Sequence, residues 1–574
     1  MHYRTKSSLV GYHPSHSQHD AGRGVHVLGS KEGEPSETTS YSSSSSETFH
    51  LPTASAYSAM MTRPWDRSGG YLSSWCFAPA RMLLSSTSSL LSILTPGEDS
   101  DEHNSRPTSK VTSLDGLRGL ACLFVFHAHY AYSFSNCLEE APPEVLSTRF
   151  MYQPFISLLW SGIAMVDVFF FISGYVLVSK PLRLLYAHNT STALSSISSA
   201  VFRRAFRLYL PSMAMILIAS VMAGLGLFDA GNNFYDMRHD DVKGPQEQPP
   251  PRLSSLAAQF YSGLKDCYRL MDNTIPWGKA NFPYESEDAA RPSGIVYDRH
   301  LWTIPVEFRC SMLVFVILLA TARIRRKWRL CVQVAFLVNC LFTERYPESL
   351  FVAGMLLAEV DTSHRHNHHH TLMNGSVFHH ASSSSSHHAS KLYADDDRVN
   401  TATSVVMTNS RDLLALVMFV PGLYLLSVPP EGPDQYPGYA GLVGMVPDYI
   451  WAKDRFVRAV GAVMTTWPVA NSPIIARLFT NWFTAYLGQI SFALYLVHGS
   501  LIKSVWYWLQ PRMTGYIHPD PTFPMSKQQF VDLWLSGYVV MVTVVLASAH
   551  VFCKVIDERS VAFSQWLAAR LSES

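Results

Sequence analysis

Ten apolar runs, each bounded by polar or charged residues, recur between Leu114 and Cys553, and they set the solvent in which this chain folds. The runs cover residues 114–134, 156–179, 208–228, 302–321, 329–343, 347–360, 412–428, 456–470, 482–507 and 531–553. A helix needs about 20 apolar residues to cross a bilayer. Only helices and closed barrels satisfy their own backbone in lipid, and runs of this length without period-two alternation are helices. The fifth, sixth and eighth runs are short, so the expectation is an all-α polytopic bundle of about ten transmembrane helices. Composition agrees. Charged residues make up 16% of the chain, against roughly a quarter in soluble proteins, and the basic residues cluster between apolar runs. A formal net charge of +1 gives no basis for a nucleic-acid partner.

The organisation follows from the same pattern. Residues 1–110 are rich in Ser, Thr, Gly, Pro and His, and bury too little apolar surface to offset ordering entropy, so a disordered tail is expected. Its opening residues lack the apolar core of a secretory signal, so the tail is expected to stay in the cytoplasm. Met82 to Leu94 is apolar but interrupted by serines and too short to span. Residues 111–570 form the expected transmembrane domain. With a cytoplasmic start, alternate connections carry Lys180, Arg183, Arg203, Arg204 and Arg207, then Arg323, Arg325, Arg326, Lys327 and Arg329, then Lys554 and Arg559, as the positive-inside rule prefers. Both termini then lie in the cytoplasm. Two long connections remain, 229–299 outside and 361–411 inside. In the first, Leu253 to Met271 has the pattern of an amphipathic helix lying on the membrane face, over an entrance. The second is a low-complexity loop with nine histidines between His364 and His388 and the serines Ser382 to Ser386, expected to be disordered rather than metal-binding. None of the eight cysteines forms a CxxC pair or a metal-ligand spacing. Cys137 and Cys267 are the two placed to pair across an oxidising surface.

Ionisable residues inside spans are the primary site candidates, because each is unfavourable by about 2.5–3.5 kcal/mol near a helix centre. In the first span Arg118 and His129 are eleven residues apart. At about 100° per residue they share one face, separated by roughly 16 Å along the axis. His127, nine residues from Arg118, falls on the opposite side. Asp115, three residues before Arg118, is spaced to pair with it at the helix end.

The segment Ser113-Leu-Asp-Gly-Leu-Arg-Gly-Leu-Ala121, with Arg118 and His129 in an arginine, ten residues, histidine arrangement, resembles the first-span motif of the acyltransferase-3 family of membrane acyltransferases. Further pieces match in order: Val166-Asp-Val-Phe-Phe-Phe-Ile-Ser-Gly-Tyr175, Arg204-Ala-Phe-Arg207, His300-Leu-Trp-Thr-Ile-Pro-Val-Glu-Phe308, and Leu487-Gly-Gln-Ile-Ser-Phe-Ala-Leu-Tyr-Leu-Val-His498. The resemblance covers about residues 111–570. Ile304-Pro305 and Phe308-Arg309 depart from the bacterial pattern and look like the eukaryotic, fungal-like branch. The resemblance implies transfer of an acyl group, commonly acetyl, from cytoplasmic acyl-CoA as co-substrate to a hydroxyl of a sugar, lipid or small metabolite. It implies no permanently bound cofactor and no metal.

The residues supply a mechanism for that activity. A hydroxyl becomes a competent nucleophile when a base removes its proton, the role assigned to His129. Arg118 attracts donor phosphate or stabilises charge on the carbonyl oxygen. Glu307, after Pro305, either caps the fourth helix, pairs with a buried arginine or orients His129. Arg203, Arg204 and Arg207, at the mouth of the third span, anchor it, contact lipid phosphate or, as the resemblance implies, contact CoA phosphates. Asp167, near mid-span, either pairs with a partner in the bundle or takes a catalytic part. Ser491, Tyr495 and His498 recur on one face, lining the same cavity or packing between helices. Ser173-Gly174 permits close helix approach, and His300 and Trp302 complete the candidate pocket. Two further classes stay open: a transporter or flippase, since intramembrane Arg, Asp, Glu and His also mark translocation paths, although no internal repeat is found, and a catalytically silent partner that kept the fold.

Overall fold

A computed structural model describes residues 110–134, 153–237, 247–272, 295–380, 412–429, 432–436, 438–520, 522–523 and 525–571, with side chains of 110–111 and 367–380 excluded. Among them there are helices at all ten expected positions, and no strand. In chain order the principal helices are α1 (Lys110–Tyr132), α2 (Gly162–Tyr186), α3 (Thr190–Gly224), α4 (Leu256–Asp272), α5 (Thr303–Thr321), α6 (Arg326–Phe342), α7 (Tyr346–His380), α8 (Asp412–Leu426), α9 (Lys453–Asn471), α10 (Trp482–Ile517) and α11 (Lys527–Leu571). Five stretches are long and apolar enough to cross a membrane: Gly162–Tyr186, Thr190–Gly224, Arg299–Thr321, Trp482–Ile517 and Lys527–Leu571. The others are shorter or carry more charge, and that is why ten apolar runs do not translate into ten helices of spanning quality.

Helix starts follow local chemistry. The Asn189 side chain accepts from the Thr192 amide and opens α3, Asn481 does the same for α10 through Thr484, and Ser526 with Gln529 forms a capping box at α11. The Asn189 cap starts α3 well before residue 208, where an apolar run alone would begin it, so Arg203, Arg204 and Arg207 stand within the helix rather than at its mouth. Likewise α7 continues to His380, well into the segment expected as loop. The tail 1–109, Cys137 and the rest of the His/Ser insertion lie outside the described residues. Cys267 is a buried free thiol.

The bundle is drawn together by two extensive pairings, α2 with α7 and α1 with α10. At the first, a Cβ on Gly174 would stand 2.1 Å from the Phe351 carbonyl oxygen, and one on Gly354 would stand 2.2 Å from that of Phe171. Only glycine on both sides permits this backbone approach. Several buried charges are paired. Arg329 makes a bidentate contact with Glu359 (2.6 and 3.0 Å), so this arginine supports the bundle instead of sitting in a surface cluster. Asp167 faces Arg458 of α9 at 3.8 Å, and Arg458 also bonds Asp454 at 2.7 Å.

α4 is the amphipathic helix expected in the long connection. Leu256, Phe260, Tyr261, Leu264, Tyr268 and Met271 are exposed, while Gln259, Asp266 and Leu270 are buried. Asp266 Oδ2 accepts from the amides of Val296 (2.6 Å) and Tyr297 (3.1 Å), and the Tyr297 hydroxyl accepts from Gln259 Nε2 at 2.8 Å. This clamp fixes the segment that delivers Asp298 and His300 to the start of α5.

Candidate active site

The site assembles where the end of α1, the middle of α10, the entry to α5 and the strap 247–251 meet. His129 Nδ1 lies 2.7 Å from Glu247 Oε1, and both side chains are buried. A carboxylate only accepts, so Nδ1 carries the proton and Nε2 is left as the basic nitrogen. Burial alone would raise the Glu247 carboxyl, but the imidazoles of His129 and His300 hold it well below the usual carboxylate range, and it remains an anion at neutral pH. The strap is stiff and pinned: Glu247 precedes three prolines, the Asn232 amide donates to the Pro250 carbonyl (3.1 Å), Gln259 donates to that of Pro251 (3.2 Å), and Arg299 donates to Gln248 (2.8 Å).

His300 extends the network. Its Nδ1 donates to Asp298 Oδ1 at 2.9 Å, and its Nε2 stands 3.2 Å from His129 Nδ1 and 3.3 Å from Glu247 Oε1. Burial pushes the Asp298 carboxyl up, yet the hydrogen bond and charge of His300 bring it below its ordinary value. Both carboxylates accept from the same ring, each through its Oδ1 or Oε1, when His300 carries a proton on each nitrogen. Gly499 of α10 makes room for the ring: a Cβ there would meet His300 Nδ1 at 2.3 Å and Asp298 Oδ1 at 3.3 Å. Gly499→Ala is therefore expected to displace His300 and lower turnover roughly 10²-fold, the scale of a 1 Å misplacement, with little change in melting temperature. Unaltered turnover in that variant would show that the ring has space to spare.

One face of α10 connects this cluster to the other end of α1. His498 packs against both histidines, with ring centroids 5.3 Å from His129 and 5.0 Å from His300, and its Nδ1 donates to the Tyr495 carbonyl at 2.7 Å. The Tyr495 hydroxyl shares a hydrogen bond with Thr303 Oγ1 (2.6 Å) and donates to the His300 carbonyl. Further along, Ser491 Oγ accepts from Arg118 Nε and the Gly488 carbonyl from Arg118 Nη2, each at 3.0 Å, while Asp115 pairs with Arg118 at 3.1 Å.

A cationic region surrounds Arg118. Arg118 and Arg207 both act electrostatically on Arg204, and Arg207 is exposed. Arg204 Nη2 bonds Glu307 Oε1 at 2.5 Å, Ser173 Oγ donates to the same oxygen at 2.9 Å, and Arg204 Nε donates to Ser311 Oγ at 3.2 Å. Arg203 is turned back to the Ser199 carbonyl at 3.2 Å. Of the roles open to Glu307, the arginine partnership is the one found. A turn beginning at Arg299 precedes α5, so Glu307 stands past the first turn and caps nothing. Glu247, not Glu307, orients His129. An oxyanion donor must stand about 3 Å from its oxygen, so Arg118, a helix length away from His129, fits only the phosphate half of its expected role.

The other candidates divide. His300, Ser491, Tyr495 and His498 join the two ends into one polar track. Asp167 belongs to the Arg458 pair, Ser173 to the Glu307 pair, and Trp302 is half-buried against the core. His127 is apart, enclosed by Trp160, Trp534 and Tyr538. Ring nitrogens of His129, His300 and His498 come within 4.8 Å of one another, close enough to hold a cation. Sequence spacing gave no hint of this trio. Two of its nitrogens, His129 Nδ1 and His300 Nε2, already lie against Glu247 Oε1 at 2.7 and 3.3 Å. Glu247, Asp298 and Lys503 are the site residues that sequence reasoning missed. Lys503 falls inside the expected ninth span, where an ionisable group is itself a signal.

The acyltransferase domain family matches residues 111–550. The chain belongs to the acyltransferase-3 family. It is similar to O-acetyltransferase PaAT-1 of Phomopsis amygdali, 28% identical with 84% of this chain and 89% of that one covered. It is also similar to acyltransferase R4 of a Phoma species, 26% identical over 79% of this chain and 94% of that one, and to acyltransferase clz18 of Cochliobolus lunatus, 26% identical over 71% and 87%. No solved structure matches. The protein is thus an acyltransferase enzyme, and its apolar helices together with its family make it an integral membrane protein.

Proposed function

We propose that this membrane acyltransferase moves an acyl group, acetyl in the first instance, from cytosolic acyl-CoA to a hydroxyl of a small metabolite, lipid or carbohydrate. The observation that carries the reading is the His129–Glu247 contact of 2.7 Å, which leaves His129 Nε2 as a base beside a buried polar track. The acceptor hydroxyl gives its proton to Nε2 as its oxygen attacks the thioester carbonyl. The C–S bond then breaks, and the proton passes from His129 to the departing thiolate. Glu247 holds the ring in the required tautomer and stabilises the imidazolium that forms between the two steps.

Arg118, Arg204 and Arg207 serve the other end of the donor. Their guanidinium groups are suited to the CoA phosphates, and the roughly 16 Å between Arg118 and His129 along α1 is of the order that an extended pantetheine arm bridges. With both termini cytoplasmic, the arginines face the compartment that holds acyl-CoA and the histidines lie toward the opposite leaflet. The name of the relative PaAT-1, an O-acetyltransferase, supports both acetyl and oxygen.

The test is direct. Purified protein in proteoliposomes is given labelled acetyl-CoA with a panel of sugars, lipid alcohols and small hydroxylated metabolites, and then a series of longer acyl-CoA donors. Alkali-labile label in an acceptor, matched by an equal release of CoA thiol, is the expected result. Movement of an unmodified solute across the membrane without ester formation would replace this reading with a transporter.

A further inference from the structure

One charged group in the imidazole cluster has no part in the steps above. Lys503 lies in the π turn Ile502–Trp506 that interrupts α10, is fully buried, and its ammonium makes no hydrogen bond. Taking an ammonium out of water without a partner is expensive, and π turns inside α-helices occur frequently at functional sites. The backbone on either side of Lys503 is well anchored. Ser504 Oγ donates to the Ser500 carbonyl at 2.7 Å, Trp506 Nε1 donates to Ser133 Oγ just after α1 at 2.8 Å, and the Tyr507 hydroxyl donates to the Glu247 carbonyl at 3.4 Å. The lysine is therefore held in place by contacts that bypass its own head group.

Its surroundings point the same way. Three more buried polar atoms of the cluster lack partners: Glu247 Oε2, Asp298 Oδ2 and His498 Nε2. The Lys503 charge acts on His129, His300 and Asp298, and the carboxylates of Asp298 and Glu247 act on it in turn. With two ionised carboxylates, a doubly protonated His300 and an ammonium on Lys503, the charges of the cluster cancel, an arrangement that lowers the cost of burying each of them. The cluster thus contains a base with its orienting acid, while among the described residues its uncommitted strong donor is Lys503. Acyl transfer needs such a donor, because the carbonyl oxygen takes up negative charge as the hydroxyl oxygen bonds to carbon, and Arg118 is too far away to supply it.

We propose that Lys503 is a catalytic residue, its ammonium donating a hydrogen bond to the thioester carbonyl oxygen as that oxygen becomes anionic. The proposal rests on the acyl-transfer reading above. In the step it assists, the acceptor oxygen bonds to the acyl carbon, the acceptor proton moves to His129 Nε2, and the C=O π pair becomes a lone pair on oxygen facing Lys503. Return of that pair expels the thiolate, which collects the proton from His129. Lys503 is unchanged throughout.

The rival role for Lys503 is to balance the charge of Asp298, and a double variant separates the two. Lys503→Met is expected to reduce kcat about 10²–10³-fold, the scale of a lost oxyanion donor, with KM for acetyl-CoA within about threefold of wild type, because the donor phosphates bind at the other end of α1. Asp298→Asn/Lys503→Met keeps an oxygen for His300 and removes one charge of each sign. It is expected to regain whatever melting temperature the single variant loses and still turn over no faster than it. Recovery of turnover in the double variant to the level of Asp298→Asn alone would show that Lys503 only balances charge. Turnover of Lys503→Met within about threefold of wild type would also overturn the assignment, since removing an oxyanion donor costs far more, while leaving the acyl-transfer reading intact. No ester formation by the wild-type protein would overturn both.

Discussion

His129→Ala is expected to lower acyl transfer about 10²–10⁴-fold, and Glu247→Gln, nearly isosteric, by a comparable factor. The physical reason lies in the single contact between them. Glu247 Oε1 accepts from His129 Nδ1 at 2.7 Å, which obliges the ring to present its other nitrogen, unprotonated, to the acceptor. A glutamine amide offers an N–H as readily as a carbonyl, so it stabilises the wrong tautomer and does nothing for the imidazolium that follows. Because the two side chains act as a unit, the double variant should turn over no more slowly than His129→Ala alone. KM for acetyl-CoA, measured beside the initial rates, is expected to move little, while His129→Ala, which takes a donor from the buried Glu247 carboxylate, should also lower the melting temperature. Glu247→Gln retaining more than about a third of wild-type turnover would remove Glu247 from the mechanism.

The second large effect falls on stability. Arg204→Met strands the Glu307 carboxylate, which now accepts from Arg204 at 2.5 Å and Ser173 at 2.9 Å. Removing one member of a buried ion pair costs about 3–5 kcal/mol. Glu307 is a fifth exposed, so the lower end, about 3 kcal/mol, is expected here. Arg204→Met/Glu307→Gln removes both charges and should recover most of that loss in a thermal melt. Transfer should stay depressed, with KM for acetyl-CoA raised, if Arg204 also serves the donor phosphates. A single variant that melts with wild type would mean that water already solvates the pair. A double variant with normal KM would remove Arg204 from donor binding.

Much of the scaffold is legible in the residues themselves. Apolar runs mark where helices form, since a backbone in lipid has few alternatives to a helix. Their ends are less legible. The cap at Asn189 extends α3 back past an arginine-rich, weakly apolar stretch, and that shift moves Arg204 from a helix mouth to the bundle interior, where it meets Glu307. The face shared by Ser491, Tyr495 and His498 follows from helical periodicity, as does the separation of His127 from its neighbour but one, and the structure places these residues accordingly.

The partners of the charged groups are another matter. Glu247 lies 118 positions from His129, in a polar connection with no apolar period, and only the docking of the proline strap over the end of α1 makes it the residue that orients the base. Asp298 and His300 reach the cluster because α4 clamps the preceding segment. Lys503 stands in the π turn that interrupts α10. Sequence alone determined that the chain is a helical membrane protein with a histidine and an arginine on one face of its first helix, because burial in lipid and the 3.6-residue repeat act locally. Tertiary structure alone decided which carboxylate orients that histidine and which cation stands beside it, because an ion pair is fixed by distance in space, and helix ends, straps and turns set that distance.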